Sequence, residues 1–334
     1  MKLLIKLAAI LFGLVLLLVL GGLAYLFLAL PRVGAAPDVR VEITPERVAR
    51  GRYLANHVAM CMTCHSKRDW TKFGAPIPPG AQGNGGMVWG RAQGLPGEFK
   101  PGNLTPAGLK DWTDGEIVRA ITEGVGRDGT PLFPLMPYPE FASMPSEDVL
   151  AIVAYLRSLP AASARDEKPF ARDLDFPVNL VVRTFPKVAT PARVDPSNKV
   201  AYGRYLARIG GCEACHSKRD GGTIIPATRF AGNAELLLPN GATVRSANIT
   251  PDRATGIGVW SEEQFIARFK LYEDASADAL TLQDPRQNTH MPWINASGMT
   301  REDLAALYAY LRTVPPVVQK VQTFEATAST ATTP

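Results

Sequence analysis

The apolar positions fall into one unbroken run and two periodic stretches that resemble each other. Leu7 to Leu30 carries no charged residue across 24 positions. As a helix, that run spans about 36 Å, enough to cross the hydrocarbon core of a bilayer. Lys2 and Lys6 precede it, which predicts an N-terminus on the cytoplasmic side and export of the remainder. A cleaved signal peptide ending at Val33-Gly34-Ala35 is the rival reading, but the run exceeds the usual apolar segment of about 7–15 residues. An uncleaved anchor over 1–30 is therefore expected, followed by a short tether over 31–44.

Beyond the tether the pattern repeats. Thr44-Pro45 and Asp195-Pro196 each look like a helix start, with a capping side chain before proline. Gly51-Arg52-Tyr53-Leu54 matches Gly203-Arg204-Tyr205-Leu206. Further on, Asn103-Leu104-Thr105-Pro106 matches Asn248-Ile249-Thr250-Pro251, and Trp112 matches Trp260. Met136-Pro137-Tyr138 then matches Met291-Pro292-Trp293, and Ala154-Tyr155-Leu156-Arg157 matches Ala309-Tyr310-Leu311-Arg312. The order never changes, so the two stretches are copies of one unit. Each copy closes on a clear helix. Ser146-Glu147-Asp148 and Thr300-Arg301-Glu302-Asp303 supply cap residues and early acids. Leu150, Val153, Ala154 and Leu156 keep one apolar face, as do Leu304, Leu307, Tyr308 and Leu311, and Pro160 and Pro315 end the helices. Gly51 and Gly203 predict a close approach of each first helix to the last one, near Tyr155 or Tyr310.

These patterns predict a mainly α protein: an N-terminal transmembrane helix, then two tandem helical domains at 45–160 and 195–316 with long irregular loops. Hairpins are possible around Gly80–Gly102 and Ile224–Ala247. The connector 161–194 carries Pro169, Pro177, Pro186 and Pro191 among apolar residues such as Phe170, Phe176, Leu180 and Phe185. It is therefore expected to pack rather than swing free. The Thr/Ala-rich end, 317–334, is expected to be a disordered tail.

Composition changes this picture little. The 28 prolines and 29 glycines among 334 residues fit the long loops, and 46% apolar content fits a packed interior. The formal charge of +5 comes without any dense Lys/Arg run, so no nucleic-acid partner is expected.

The four cysteines change it most. They lie in Cys61-Met62-Thr63-Cys64-His65 and Cys212-Glu213-Ala214-Cys215-His216, each followed by Ser-Lys-Arg-Asp. Cys-x-x-Cys-His is the attachment signature of a c-type haem. Thiols at i and i+3 sit one helical turn apart and can add to two vinyl groups on one porphyrin edge. The following histidine is placed under the iron. A zinc site or a redox dithiol also uses paired cysteines, but no spare cysteine completes a zinc ligand set. His65 and His216 are thus the expected proximal ligands of two covalently bound haems. Met136 and Met291, each in a proline-restrained loop before the last helix, are the expected sixth ligands. The propionates of two haems would offset part of the positive charge.

Met144 and Met299 repeat too, but read as packing residues beside the helix starts. Met60 and Met62 are too near the attachment turns to reach the far haem face, and Met87 has no counterpart. His57 reads as a surface or propionate-side residue, while His290 could compete with Met291. The Gly83–Gly86 cluster lacks the Gly-Lys-Ser/Thr ending of a phosphate loop and reads as plain loop.

Together, Gly-Arg-Tyr-Leu, the paired haem motifs, Asn-Leu/Ile-Thr-Pro, Met-Pro-Tyr/Trp and Ala-Tyr-Leu-Arg resemble a tandem class I cytochrome c. They are similar, more narrowly, to the multihaem cytochrome c subunits of membrane-bound dehydrogenases of the quinoprotein alcohol dehydrogenase type. Phe176-Pro177-Val178-Asn179-Leu180 resembles the segment between haems in that group. The likeness covers about 45–316. It implies a membrane-anchored carrier in the bacterial periplasm, single-pass in the inner membrane. Such a carrier passes single electrons from a dehydrogenase to a cytochrome or oxidase of the respiratory chain, with no catalytic residues of its own. Two features depart from that group: it typically has three haem motifs and a membrane segment at its other end. A dihaem peroxidase is the enzymatic alternative, but it would need one displaceable sixth ligand, and both copies offer methionine at the same place. A gas-sensing haem module would have the same need.

Overall fold

The computed structural model describes residues 1–162, 173–276 and 279–325. Pro169 and Phe170 of the connector, and 326–334 of the tail, lie outside them. The protein is mainly helical. The principal helices are α1 (Lys2–Leu28), α2 (Pro45–Tyr53), α3 (Asp114–Glu123), α4 (Ser146–Ser158), α5 (Lys199–Ile209), α6 (Glu262–Lys270) and α7 (Arg301–Leu311). α1 has no buried residue along its 27 positions. It is the one candidate membrane span among the described residues.

Local chemistry sets the helix ends. Thr44 Oγ1 accepts from Arg47 N at 3.2 Å, with Pro45 in the first turn. α3 and α6 both start on capping boxes, Thr113 with Glu116 and Ser261 with Gln264. Two starts differ from the sequence reading. α5 is capped by Asn198, whose Oδ1 accepts from Ala201 N at 3.0 Å. Asp195 instead accepts from Ser197 N in a turn just ahead. Ser146 is already helical and follows Pro145, so it caps nothing, whereas Thr300 caps α7 through Asp303 N.

The compact units do not follow the two sequence copies. One unit comprises Met1–Arg40, Trp112–Ser143 and Asp173–Thr190. Here the tether is not free. Val33 is buried, and Gly115 in the first turn of α3 lies so near the Pro37 carbonyl that a Cβ would collide with it. The connector is pinned to the same segment: Ala189 N donates to Glu123 Oε1 at 3.0 Å and Thr190 N to the Ala142 carbonyl at 2.9 Å. Tether and connector thus draw 112–143 into a unit with α1.

The other unit holds Val41–Asp111, Met144–Arg172 and Pro191–Pro334. Its centre is two helix pairs, α2 with α4 and α5 with α7. A Cβ on Gly51 would strike the Ala151 carbonyl and Tyr155, and one on Gly203 the Ala306 carbonyl and Tyr310. The glycines permit backbone-to-backbone crossing at equivalent points. Leu54, Ile152, Leu156, Leu206, Leu304 and Leu311 fill the space around these crossings. The pairs are also braced reciprocally. Tyr53 Oη donates to Asp303 Oδ2 on α7, and Tyr205 Oη to Asp148 Oδ2 on α4, both at 2.6 Å.

Strand content is small. β1 (Glu235–Leu237) and β2 (Thr243–Arg245) form an antiparallel hairpin within the stretch where one was possible. A short hairpin, Arg219–Asp220 with Thr223–Ile224, precedes it. In the first copy the corresponding loop carries an isolated bridge, Trp89 to Phe99, and a two-residue strand, Gly97–Glu98. The expectation of a disordered tail from 317 is corrected for its first part. β3 (Phe324–Glu325) pairs antiparallel with β2, and Phe324 packs on buried Leu238, Ala242 and Val244. Val317 and Gln319 approach it along the Asn248 turn, their carbonyls accepting from Asn248 Nδ2 at 2.8 and 3.4 Å.

Candidate functional site

Each Cys-x-x-Cys-His motif forms a single helical turn entered through a left-handed residue, Met60 (φ 52°) before Cys61–Cys64 and Gly211 (φ 66°) before Cys212–Cys215. The turn places the two thiols of a pair on one side, and it ends at the histidine. His65 Nδ1 lies 2.8 Å from the Gly102 carbonyl, and His216 Nδ1 lies 2.7 Å from the Ala247 carbonyl. A carbonyl only accepts, so Nδ1 must carry the proton, and each Nε2 keeps its lone pair for a metal. Burial lowers the pKa of both imidazoles, which holds them in the neutral, ligating form.

The two carbonyls belong to equivalent places: Gly102 and Ala247 immediately precede the Asn-x-Thr-Pro motifs. Asn103 Oδ1 accepts from Thr105 N and Oγ1 at 2.8 and 2.7 Å, and Asn248 Oδ1 from Thr250 N and Oγ1 at 2.9 and 2.8 Å. These Asx turns fix the chain direction that presents the carbonyl to the imidazole. Spacing alone exposed the repetition of this motif but not that role.

Ser66 and Ser217 are a second pair that sequence reasoning passed over. Both are buried directly after the histidine. Ser66 Oγ accepts from Gly83 N at 2.9 Å and Ser217 Oγ from Phe230 N at 3.1 Å. Gly85 N and Gly232 N then donate to the carbonyls of His65 and His216 at 2.9 and 2.8 Å. The Gly83–Gly86 cluster thus wraps the attachment turn, and a Cβ on Gly86 would collide with the Cys64 carbonyl. The signal was present in the repeated Ser-Lys-Arg-Asp.

Burial works against a redox-dithiol reading of the thiols. Burial, and then the partner cysteine of the pair, push Cys61 and Cys212 up to about 12. A dithiol catalyst needs its attacking thiol lowered. Cys215 is raised by burial and then by Cys64 of the other copy, so the two turns are neighbours. Gly210 agrees, since a Cβ there would stand 3.4 Å from the Val58 carbonyl of the other copy. No cluster of three or more His, Cys, Asp or Glu capable of holding a metal ion occurs among the described residues. Paired thiols on a turn and an imidazole with Nε2 unengaged fit a covalently held haem in each copy.

The methionines sort by burial. Met144 and Met299 are 0% and 4% exposed and serve as core. Met136 and Met291 are only half-buried and share one backbone turn: Tyr138 N donates to the Met136 carbonyl and Trp293 N to the Met291 carbonyl, each at 2.8 Å. Met291 lies in the unit that contains both attachment turns, while Met136 belongs to the other. His290, the competitor of Met291, has its Nε2 committed to the Leu237 carbonyl at 2.9 Å. His57 also meets a main-chain carbonyl, with Nδ1 2.8 Å from that of Asn295, but it follows no paired-thiol turn.

One cation near these turns stands out. Arg68 has no carboxylate partner among the described residues. Its Nε and an Nη donate to the carbonyls of Ala75 and Gly74 at 2.8 and 2.6 Å, and the guanidinium lies 4.7 Å from the Trp70 ring. Burial lowers it to about 10. Its counterpart, Arg219, is exposed.

Comparison with known proteins agrees with this chemistry. The family model described as Cytochrome c matches residues 200–315. The cytochrome c subunit of the quinone alcohol dehydrogenase from Gluconacetobacter polyoxogenes is 28% identical over 289 residues, 81% of this chain and 56% of that protein. The cytochrome c subunit of gluconate 2-dehydrogenase from Pantoea cypripedii is 27% identical over 286 residues, 80% of this chain and 59% of the relative. The chain thus spans less than two thirds of the length of these subunits. A "Diheme cytochrome c-type" protein of Cereibacter sphaeroides is 27% identical over 318 residues, 90% of this chain and 96% of that one.

Proposed function

We propose that this chain, which is of the cytochrome c class, is a dihaem electron carrier held in the bacterial inner membrane by α1, with its haem-bearing part in the periplasm. The observation that carries the reading is the duplicated histidine geometry: in both copies a main-chain carbonyl takes the Nδ1 proton directly after a paired-thiol turn. Cys61 and Cys64 would hold one haem through thioethers, and Cys212 and Cys215 the other. His65 and His216 would ligate through Nε2, with Met136 and Met291 as sixth ligands. Haem c held in this way supplies an iron that gains and loses one electron within a fixed ligand set.

The chain's own contribution is to hold that ligand set still. The Asx turns at Asn103 and Asn248 fix the acceptor carbonyls, burial keeps the imidazoles neutral, and matched turns fix the methionines. Relatives named as cytochrome c subunits of dehydrogenases support a dehydrogenase as donor, and a respiratory cytochrome or oxidase would be the acceptor. A periplasmic redox protein on one side and membrane lipid around α1 are the partners this implies.

The intact mass of the mature protein tests the reading. Two haem increments that survive acid acetone are expected, and a mass without them would overturn it. Met136→Ala and Met291→Ala should each remove one of the two near-infrared methionine–iron charge-transfer signals. Two unchanged signals in either variant would exclude that methionine as a ligand.

A further inference from the structure

The connector element Phe176–Phe185 has an inside and an outside that the electron-carrier reading does not use. Val182 and Pro186 are buried, and Phe185 packs edge-on to Phe133 with ring centroids 6.4 Å apart. On its outer side Phe176 is 79% exposed, and Val181 is exposed next to buried Val182. The element is fastened to the end of α1. Arg183 lies 4.6 Å over the Phe27 ring, and its Nη1 donates to the Leu30 carbonyl at 3.4 Å. Arg32 covers Tyr25 in the same way at 5.4 Å.

These contacts fix the depth of the element. The 27 residues of α1 measure about 40 Å against a hydrocarbon core of about 30 Å. The last turn, with Tyr25 and Phe27, therefore reaches the headgroup layer, where tyrosine and long basic side chains are favoured. Whatever is bonded to Phe27 and Leu30 stands at that level too. A bare phenylalanine and valine beside two arginines match an interface that offers acyl chains and phosphates together.

We propose that Phe176–Phe185 is a second membrane contact, lying in the interfacial layer of the bilayer that α1 crosses, with Phe176 and Val181 turned into lipid. The inference rests on α1 being a retained anchor. The protein is then held at two points, a spanning helix and a surface turn, and the unit containing Met136 is fixed against the membrane instead of tethered beneath it.

Photocrosslinking of the full-length protein in phosphatidylcholine–phosphatidylglycerol nanodiscs tests this, with p-benzoylphenylalanine in place of Phe176, Leu17 or Val259 in separate samples. Intact-mass increments of one phospholipid are expected at positions 176 and 17 and not at Val259, an exposed residue of the other unit. A lipid adduct at 17 but none at 176 overturns the surface contact and leaves the anchor standing. No adduct at either position overturns both. An adduct at 259 as abundant as at 176 shows non-selective capture and also overturns the surface contact.

Discussion

The two copies reach the same attachment geometry from different backbones. In the second, α5 runs as an ordinary helix to Ile209, and glycines lead into the turn at Cys212. In the first, nine residues lie between Gly51 and Cys61, where the second copy has eight between Gly203 and Cys212. The extra residue is absorbed by a π-turn over Leu54–Val58, closed by Ala59 N donating to the Leu54 carbonyl at 2.8 Å. The first copy also enters its turn through left-handed Met60, where the second uses Gly211. The wrapping loop trades in the other direction. Gly83 sits at φ 72° in the first copy, while Phe230 holds φ 58° in the second and packs edge-on to Tyr310. What stays fixed is the carbonyl that meets each imidazole. The site therefore constrains where the main chain lies, and side chains and local strain vary around it.

The largest effect expected is one in which the copies agree. Gly51→Ala and Gly203→Ala each drive a methyl group into a facing carbonyl, which should cost about 3 kcal/mol. Denaturation of both variants checks this, and a clearly smaller loss in one would show that its crossing is looser. The tyrosine braces should separate the copies. Asp148 keeps Arg50 at 2.8 Å when Tyr205 is lost, but Asp303, only 7% exposed, keeps just Tyr202 at 3.4 Å when Tyr53 is lost. Tyr53→Phe should cost about 2 kcal/mol and Tyr205→Phe about 1 kcal/mol, and equal losses would mean that Arg50 contributes nothing.

Backbone strain should separate them with opposite signs. Met60→Gly should gain about 1 kcal/mol and Gly211→Ala lose a similar amount. Stability measurements that moved the same way would contradict the left-handed entry. The smallest effect concerns charge. Removing one cation near a haem at an effective dielectric of about 20 is worth on the order of 1 kcal/mol, or about 50 mV. Arg68→Gln should lower one haem potential by that order, and Arg219→Gln should leave both nearly unchanged, as read by spectroelectrochemical titration.

Much of the scaffold was legible because it depends on local pattern. The periods of α4 and α7 predicted those helices, and the repeated glycines predicted the crossings near Tyr155 and Tyr310. The paired-thiol turns ending at His65 and His216 were legible because Cys-x-x-Cys-His is a local spacing. What sequence could not supply is long-range. Gly102 and Ala247 lie 37 and 31 residues from the histidines they bond, and their contribution is a carbonyl that any residue possesses. Phe324 joins the sheet across about 80 residues, so a Thr/Ala-rich end read as a tail. Asp195 and Asn198 compete as caps within one turn, and only the path of the chain decides between them. The division into units turned on contacts of Pro37, Glu123 and Ala142 that no periodicity reveals.

Under the proposed function, the acceptor carbonyls have a consequence for how the haem irons would be tuned. An imidazole oriented by an aspartate can be altered by a single codon, but one oriented by the peptide backbone cannot. No exchange of side chain at Gly102 or Ala247 deletes that oxygen. If His65 and His216 ligate iron as proposed, variation in redox behaviour would enter from elsewhere, through the opposite ligands or through charges such as Arg68.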